Sequence, residues 1–148
     1  MESANAERQA WMGLLAKAPP GRAAGLLDAA MARPAFAWLR APETGSVMVR
    51  GRAGATGAPF NLGEMTVTRC SLRLGCGTVG HACLQGRSKP DAEAAALIDA
   101  LMQTGAAAAL RTAVLDPLAG ERDAARRSRA SKAAATKVDF FTMVRGDD

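Results

Sequence analysis

The sequence is poor in aromatic side chains and nearly without histidine. Tyrosine is absent, histidine occurs once, and two tryptophans and four phenylalanines are the only aromatics in 148 residues. Alanine supplies much of the apolar share instead, and small side chains bury little area each, so modest stability is expected of the isolated chain. Aromatics do not alternate with basic residues and there is no lysine-rich tail, which argues against a nucleic-acid partner. The net charge of +5 suits anionic ligands or acidic partner surfaces. No apolar run reaches the roughly 20 residues that span a bilayer, so no membrane partner is expected. The opening MESANAERQAW lacks the basic-then-apolar order of a signal peptide, and a cytoplasmic protein is expected.

Three cysteines, Cys70, Cys76 and Cys83, are an odd number without Cys-x-x-Cys spacing, which excludes a disulfide framework in such a protein. Their spacing, with His81 among them, invites a zinc site. Free buried cysteine acting as a small hydrophobe is the commoner arrangement, and no metal is expected. Two nucleotide motifs are also missing. Gly51, Gly54 and Gly57 fall every third residue, which is not the dinucleotide fingerprint, and no Gly-Lys-Ser/Thr closes the loop as in a Walker A motif.

What is present centres on residues 42–70, PETGSVMVRGRAGATGAPFNLGEMTVTRC, where glycines and arginines separate short β-prone runs. Residues 46–50 read as a first strand. The glycine-rich loop at 51–59 reads as a structured turn, with a backbone phosphate nest as the functional alternative. Residues 65–74, MTVTRCSLRL, alternate as the longest strand, with Thr66, Thr68, Cys70, Leu72 and Leu74 on one side. Gly75, Cys76 and Gly77 supply a turn, and residues 78–85 return as a third strand of a hairpin.

Helices flank this centre. Residues 4–17 and 22–32 read as an αα-hairpin interrupted at Pro19-Pro20-Gly21. Residues 34–43 read as a single helical turn or 3₁₀ piece broken at Pro42, with Trp38 in the core. Ser88 is positioned to cap a helix over residues 91–103, with Pro90 in its first turn. A further helix follows Gly105 and is expected to break at Pro117. Residues 118–135 favour helix by propensity but lack apolar anchors, which fits a solvated helix, a linker or a basic docking arm. The ending TKVDFFTMVRGDD then places Val138, Phe140, Phe141, Met143 and Val144 where water would be costly, and reads as an assembly arm.

Few residues suggest chemistry. Glu43, Glu64 and His81 are the titratable candidates for catalysis, but no nucleophile beside His81 is evident, and a hydrogen-bonded structural histidine is the simpler reading. Arg50, Arg52, Arg69, Arg73, Arg87 and Arg145 have the guanidinium geometry for phosphate-like oxygens, but ion pairing across an interface is the preferred reading.

The blocks LRAPETGSVMVRGRAGATGAPFNLGEMTVTRC (39–70), GHACLQGR (80–87), AEAAALIDALMQ (92–103) and TKVDFFTMVRG (136–146) carry a family resemblance. The chain resembles the PhnG subunits of the bacterial carbon–phosphorus lyase system, which degrades phosphonates. The resemblance covers nearly the whole chain. It implies an accessory subunit of a cytoplasmic core complex that replaces the adenine of ATP by a phosphonate. In the methylphosphonate case the product is ribose 1-methylphosphonate 5-triphosphate. It further implies ATP and phosphonate as substrates of the complex, no cofactor in this subunit, and partners that include a larger nucleosidase-type subunit. The alternative is direct participation in the transfer step through the glycine-rich loop and nearby arginines. Self-association of the isolated chain is compatible with its alanine-rich helices. The expected fold is α+β, a single domain over residues 1–148. It comprises a small antiparallel sheet of three to four strands, helices packed on one face, and residues 118–148 as a basic helix with an extended C-terminal arm.

Overall fold

The structure, a computed structural model, describes residues 2–138, with side chains from Asn5 onward. Helices α1 (Glu2–Leu15) and α2 (Arg22–Ala30) come first, joined by a turn through Gly21. Strands β1 (Phe36–Arg52), β2 (Pro59–Leu74) and β3 (Val79–Gln85) form an antiparallel sheet in the order β1-β2-β3. Helix α3 (Lys89–Leu101) follows, then α4 (Ala107–Leu110), a π-helical turn (Arg111–Leu115) and α5 (Asp116–Ala135). The fold is α+β, as expected, and among the described residues the antiparallel sheet has three strands, within the three to four expected.

Helix α3 is the centre of the molecule. It packs on β2 and β3 on one side and on α1 and α2 on the other. Its residues are therefore buried almost all round, from Ala92 through Leu101. Alanines at 92, 94, 95, 96 and 100 keep its surface thin, so strand and helix backbones approach closely. Ser88 caps it, its side chain accepting from the Asp91 N–H at 3.3 Å, with Pro90 in the first turn. The alternating face of β2 meets α3: Thr68, Cys70, Leu72 and Leu74 are all buried. Leu27, Leu97, Ile98, Leu110 and Val114 complete the core.

Three expectations are corrected. Residues 34–43 do not form a helical turn, because β1 begins at Phe36 and runs through Pro42. Pairing to β2 overrides the local signal, and an edge strand tolerates a proline near register shifts, here between Trp38 and Glu43. Trp38 is consequently not a core residue. It stands on the edge strand, 38% exposed, with Phe36 edge-on at 4.8 Å. Pro117 does not break the last helix. The π-helical turn widens the bonding, with the Asp116 N–H reaching Arg111 O, and the proline falls in the first turn of α5 where no donor is needed.

Helix α5 leaves the body early. Leu118 is its buried residue, and nearly every residue from 124 to 138 is exposed, Val138 at 66%. The remaining arm residues Phe140, Phe141, Met143 and Val144, and Arg145, lie outside the described residues.

Candidate functional site

The sheet face opposite α3 is the place where the sequence-selected residues meet. Cross-strand partners share a face, and the register sets Arg69 between Glu43 and Cys83, and Ser71 between Arg40 and His81. Glu43 accepts from Arg69 Nε at 3.1 Å and pairs with Arg40. Its carboxyl is held below the usual range, first by the Arg69 hydrogen bond and then by Arg40. Arg73 lies further along the same face, exposed, opposite Val79 and Ala37.

Ser71 Oγ and His81 Nδ1 are 2.8 Å apart across β2 and β3. The pair is a serine–histidine contact that the sequence reading did not anticipate. Its signal was the turn at 75–78, which sets residue 71 opposite 81 once the hairpin is counted back. The pair has the first two members of a nucleophile–base arrangement, on an open sheet face. The buried carboxylate nearby does not complete it. Asp99 accepts from the His81 backbone N–H at 2.9 Å, and its other partners are Arg8 and Trp11. The imidazole is hydrogen-bonded across the strands to Ser71.

The other candidates do not converge on this face. Glu64 is exposed on β2 opposite Met48, five residues from Arg69, or roughly 17 Å along the strand. Arg87 stands exposed in the β3–α3 connection. Arg50 and Arg52 sit near the far end of β1, where Arg52 Nη1 donates to Gly57 O at 3.0 Å. The glycine-rich loop is a compact turn whose Gly57 N–H bonds Ala53 O at 2.8 Å. A Cβ on Gly57 would lie 2.7 Å from that oxygen, which explains the glycine without a ligand.

The cysteines occupy separate environments. Cys70 is buried and its thiol donates to Ala92 O at 3.2 Å, while Cys76 and Cys83 are exposed. Among the described residues no group of three or more histidine, cysteine or carboxylate side chains is placed to hold a metal ion.

A second surface lies beyond the third strand. β3 ends with Gln85 opposite Val67, and from there, among the described residues, β1 and β2 continue as a two-stranded ribbon to the turn at 53–58. Its opposed pairs Val47–Met65, Val49–Gly63 and Gly51–Phe60 share one face. Leu62 joins them, since it and Phe60 both flank the Cβ position of Gly51 at 3.8 Å. Phe60 is 45% and Leu62 66% exposed. Ser46–Thr66, Met48–Glu64 and Arg50–Asn61 form the other, more polar face.

The sequence matches the family described as phosphonate metabolism protein PhnG over residues 6–146. The chain belongs to the PhnG family. A curated relative, the alpha-D-ribose 1-methylphosphonate 5-triphosphate synthase subunit PhnG of Rhizobium meliloti (strain 1021), is 49% identical over 143 residues, covering 97% of this chain and 92% of that protein. The resemblance seen in the central and terminal blocks is thus borne out, and the PhnG chain here is a protein of phosphonate metabolism. Among its described residues no helix is long and apolar enough to cross a membrane.

Proposed function

We propose that this PhnG chain is an accessory subunit of a synthase that forms ribose 1-methylphosphonate 5-triphosphate. ATP and a phosphonate are the substrates of the assembled complex, and adenine leaves. Its partners are the other core subunits, including the larger nucleosidase-type subunit, in the cytoplasm, and it brings no cofactor of its own. The observation that carries this reading is 49% identity along 97% of the chain to a protein named as a subunit of that synthase. The site geometry supports the accessory role. Glu43 is neutralised by two arginines, the buried acid near the Ser71–His81 pair is engaged by Arg8, Trp11 and the His81 backbone rather than the imidazole, and Glu64 stands apart.

Co-purification tests the reading. The tagged full chain is expressed with the other synthase subunits beside a version ending at Ala135. A stable complex with the full chain is expected, and its loss on shortening assigns residues 136–148 to assembly. A full chain that recovers no companion subunit sinks the proposal.

A further inference from the structure

The two edges of the sheet are built differently. The β1 edge carries Pro42, the charged Arg40, Glu43 and Arg50, and several register shifts, which are the devices that keep an edge from pairing. β3 has no charge or proline from His81 to Gln85, and its register is unbroken. The His81 N–H goes to Asp99 and Val79 O accepts from Gln103, so the odd-numbered residues of β3 turn their backbone groups away from β2. His81 O and both backbone groups of Cys83 and Gln85 have no hydrogen-bond partner among the described residues. Beside this edge lies an apolar cavity of about 250 Å³, lined by Met12, Leu15 and Ala16 of α1, Ala82 and Leu84 of β3, and Ala95. An unguarded edge along an apolar slot takes an added strand, whose alternate side chains enter the slot. A second copy of β3 does not fit, because its own α3 would have to lie where α1 already stands. A bare extended segment does fit.

We propose that residues 139–145 of a second copy of this chain fill the slot as a fourth strand, antiparallel to β3. The segment lies outside the described residues, and its sequence fits the edge. With Thr142 opposite Cys83, alternation sends Phe141 and Met143 into the slot beside Leu84 and Ala82. Phe140 and Val144 then stand opposite Gln85 and His81, so the added ladder reaches every open backbone group of the edge. Asp139 falls beside the exposed Arg87, which a parallel strand in this register would not give. Reach selects the second copy over the chain's own arm. Arg122 lines a cleft with α1, and from there α5 runs on to Ala135, about 20 Å of helix. The extended chain from Thr136 to Thr142 returns at most about 20 Å, with the ~10 Å width of α1 still to cross. The proposal goes beyond the accessory reading and is tested on the isolated chain, so the two can fail separately.

The test oxidises the isolated full chain mildly after Thr142→Cys in a Cys76→Ser background. Directly opposed, hydrogen-bonded strand residues stand about 5.5 Å apart at Cα, within disulfide range. A covalent dimer is expected, falling at least tenfold when Cys83→Ser is added, or Phe141→Ser with Met143→Ser. Hydrogen exchange and sedimentation on the unsubstituted chain give a second readout that needs no new cysteine. The full chain is expected to run as a dimer and a version ending at Ala135 as a monomer, with the Cys83 and Gln85 amides exchanging at least tenfold faster in the shortened chain. A disulfide formed within one chain assigns the slot to the chain's own arm. A covalent dimer through Cys83 in Cys76→Ser alone assigns the edge to a second β3. Edge amides protected only when other synthase subunits are present assign it to one of those. Equal exchange in the full and shortened chains leaves the edge open. Each of these four results overturns the proposal.

Discussion

Asp99 receives Arg8 through two bonds, 3.1 Å from Nε and 2.7 Å from Nη2, joining the central helix to a residue 91 positions earlier in the chain. The same carboxylate accepts from Trp11 Nε1 at 2.9 Å and from the His81 N–H at 2.9 Å. Asp99 is fully buried while the Arg8 side chain is 30% exposed. One carboxylate thereby ties α1, α3 and the outer edge of β3 together. Removing one member of a buried pair leaves the remaining groups without their partner. Asp99→Ala is expected to cost about 3–5 kcal/mol, and Arg8→Ala about 2 kcal/mol, because Trp11 and His81 still serve the carboxylate. Urea unfolding followed by tryptophan fluorescence measures both. A loss below about 1 kcal/mol in Asp99→Ala would mean that packing alone holds α1 in place.

Gly80 is required by the closeness of β3 to α3. A Cβ at that position would collide with the Ala96 carbonyl and lie 2.8 Å from both the Cβ and the N of Ala100. These are backbone and near-backbone atoms, so no flexible side chain can swing away. Gly80→Ala is expected to destabilise by about 3 kcal/mol or more, lowering the melting temperature by roughly 6–12 °C. Pairing it with Ala100→Gly relieves only one of the three contacts, and recovery in the double variant should be partial. Full recovery would place the obstruction at Ala100 alone.

The β2–β3 hairpin and α3 were legible because their signals are local. Alternation from Met65 to Leu74, a glycine turn, and a Ser-x-Pro-Asp start each act over a few residues. The first half of β1 was not legible, because what makes residues 36–43 a strand is the ladder offered by β2 some 30 residues later. The residues themselves, preceded by Pro34 and containing Pro42, carry no alternation of their own. Trp38 followed the same error, since an edge strand exposes what a helix would have buried. Passage through Pro117 was hidden for a different reason: it depends on a π-helical turn, which has no short sequence signature.

The candidate site was legible residue by residue but not as an arrangement. Glu43, Arg69 and His81 were singled out one at a time, and only the strand register sets them on one face. Ser71 was passed over because its partner lies across the hairpin. Asp99 was missed although its signal is simple: of the two carboxylates in the alanine-rich AEAAALIDALMQ, it is the one set between the apolar pairs Leu97-Ile98 and Leu101-Met102.

Arg69 governs the titration of Glu43. The carboxyl is lowered first by the Arg69 hydrogen bond, with Arg40 contributing after it. In Arg69→Gln the Glu43 titration should move up toward the ordinary glutamate range, yet stop short of it while Arg40 remains. Side-chain carboxyl NMR across pH 2–6 reads this directly. The stabilising effect of a lowered carboxylate is present above its unfolded value and fades as pH falls through the folded one. Both partners face water, so the shift is expected without a measurable change in melting temperature near neutrality. An unmoved Glu43 titration would mean that Arg40 alone holds the carboxylate.

The three thiols should separate by reactivity and by their effect on alkaline stability. Burial pushes the Cys70 thiol up from 9.0 to about 11, whereas hydrogen bonds from Thr78 lower that of exposed Cys76. At pH 8 a disulfide-forming reagent should modify Cys76 fastest and Cys83 next, and should reach Cys70 only on unfolding. The thiol form of Cys70 is favoured by the fold, so its contribution is intact below pH 9. Between pH 9 and about 11 the unfolded chain ionises first, and folding stability declines through that window. Lysines and arginines also respond to alkali, so the slope is read as a difference against Cys70→Ala. That variant starts less stable at pH 7, having lost the sulfur and its bond to Ala92 O, and the gap should narrow as pH rises to 11. A constant gap across the window would mean that the Cys70 thiolate forms as readily in the folded chain as in water.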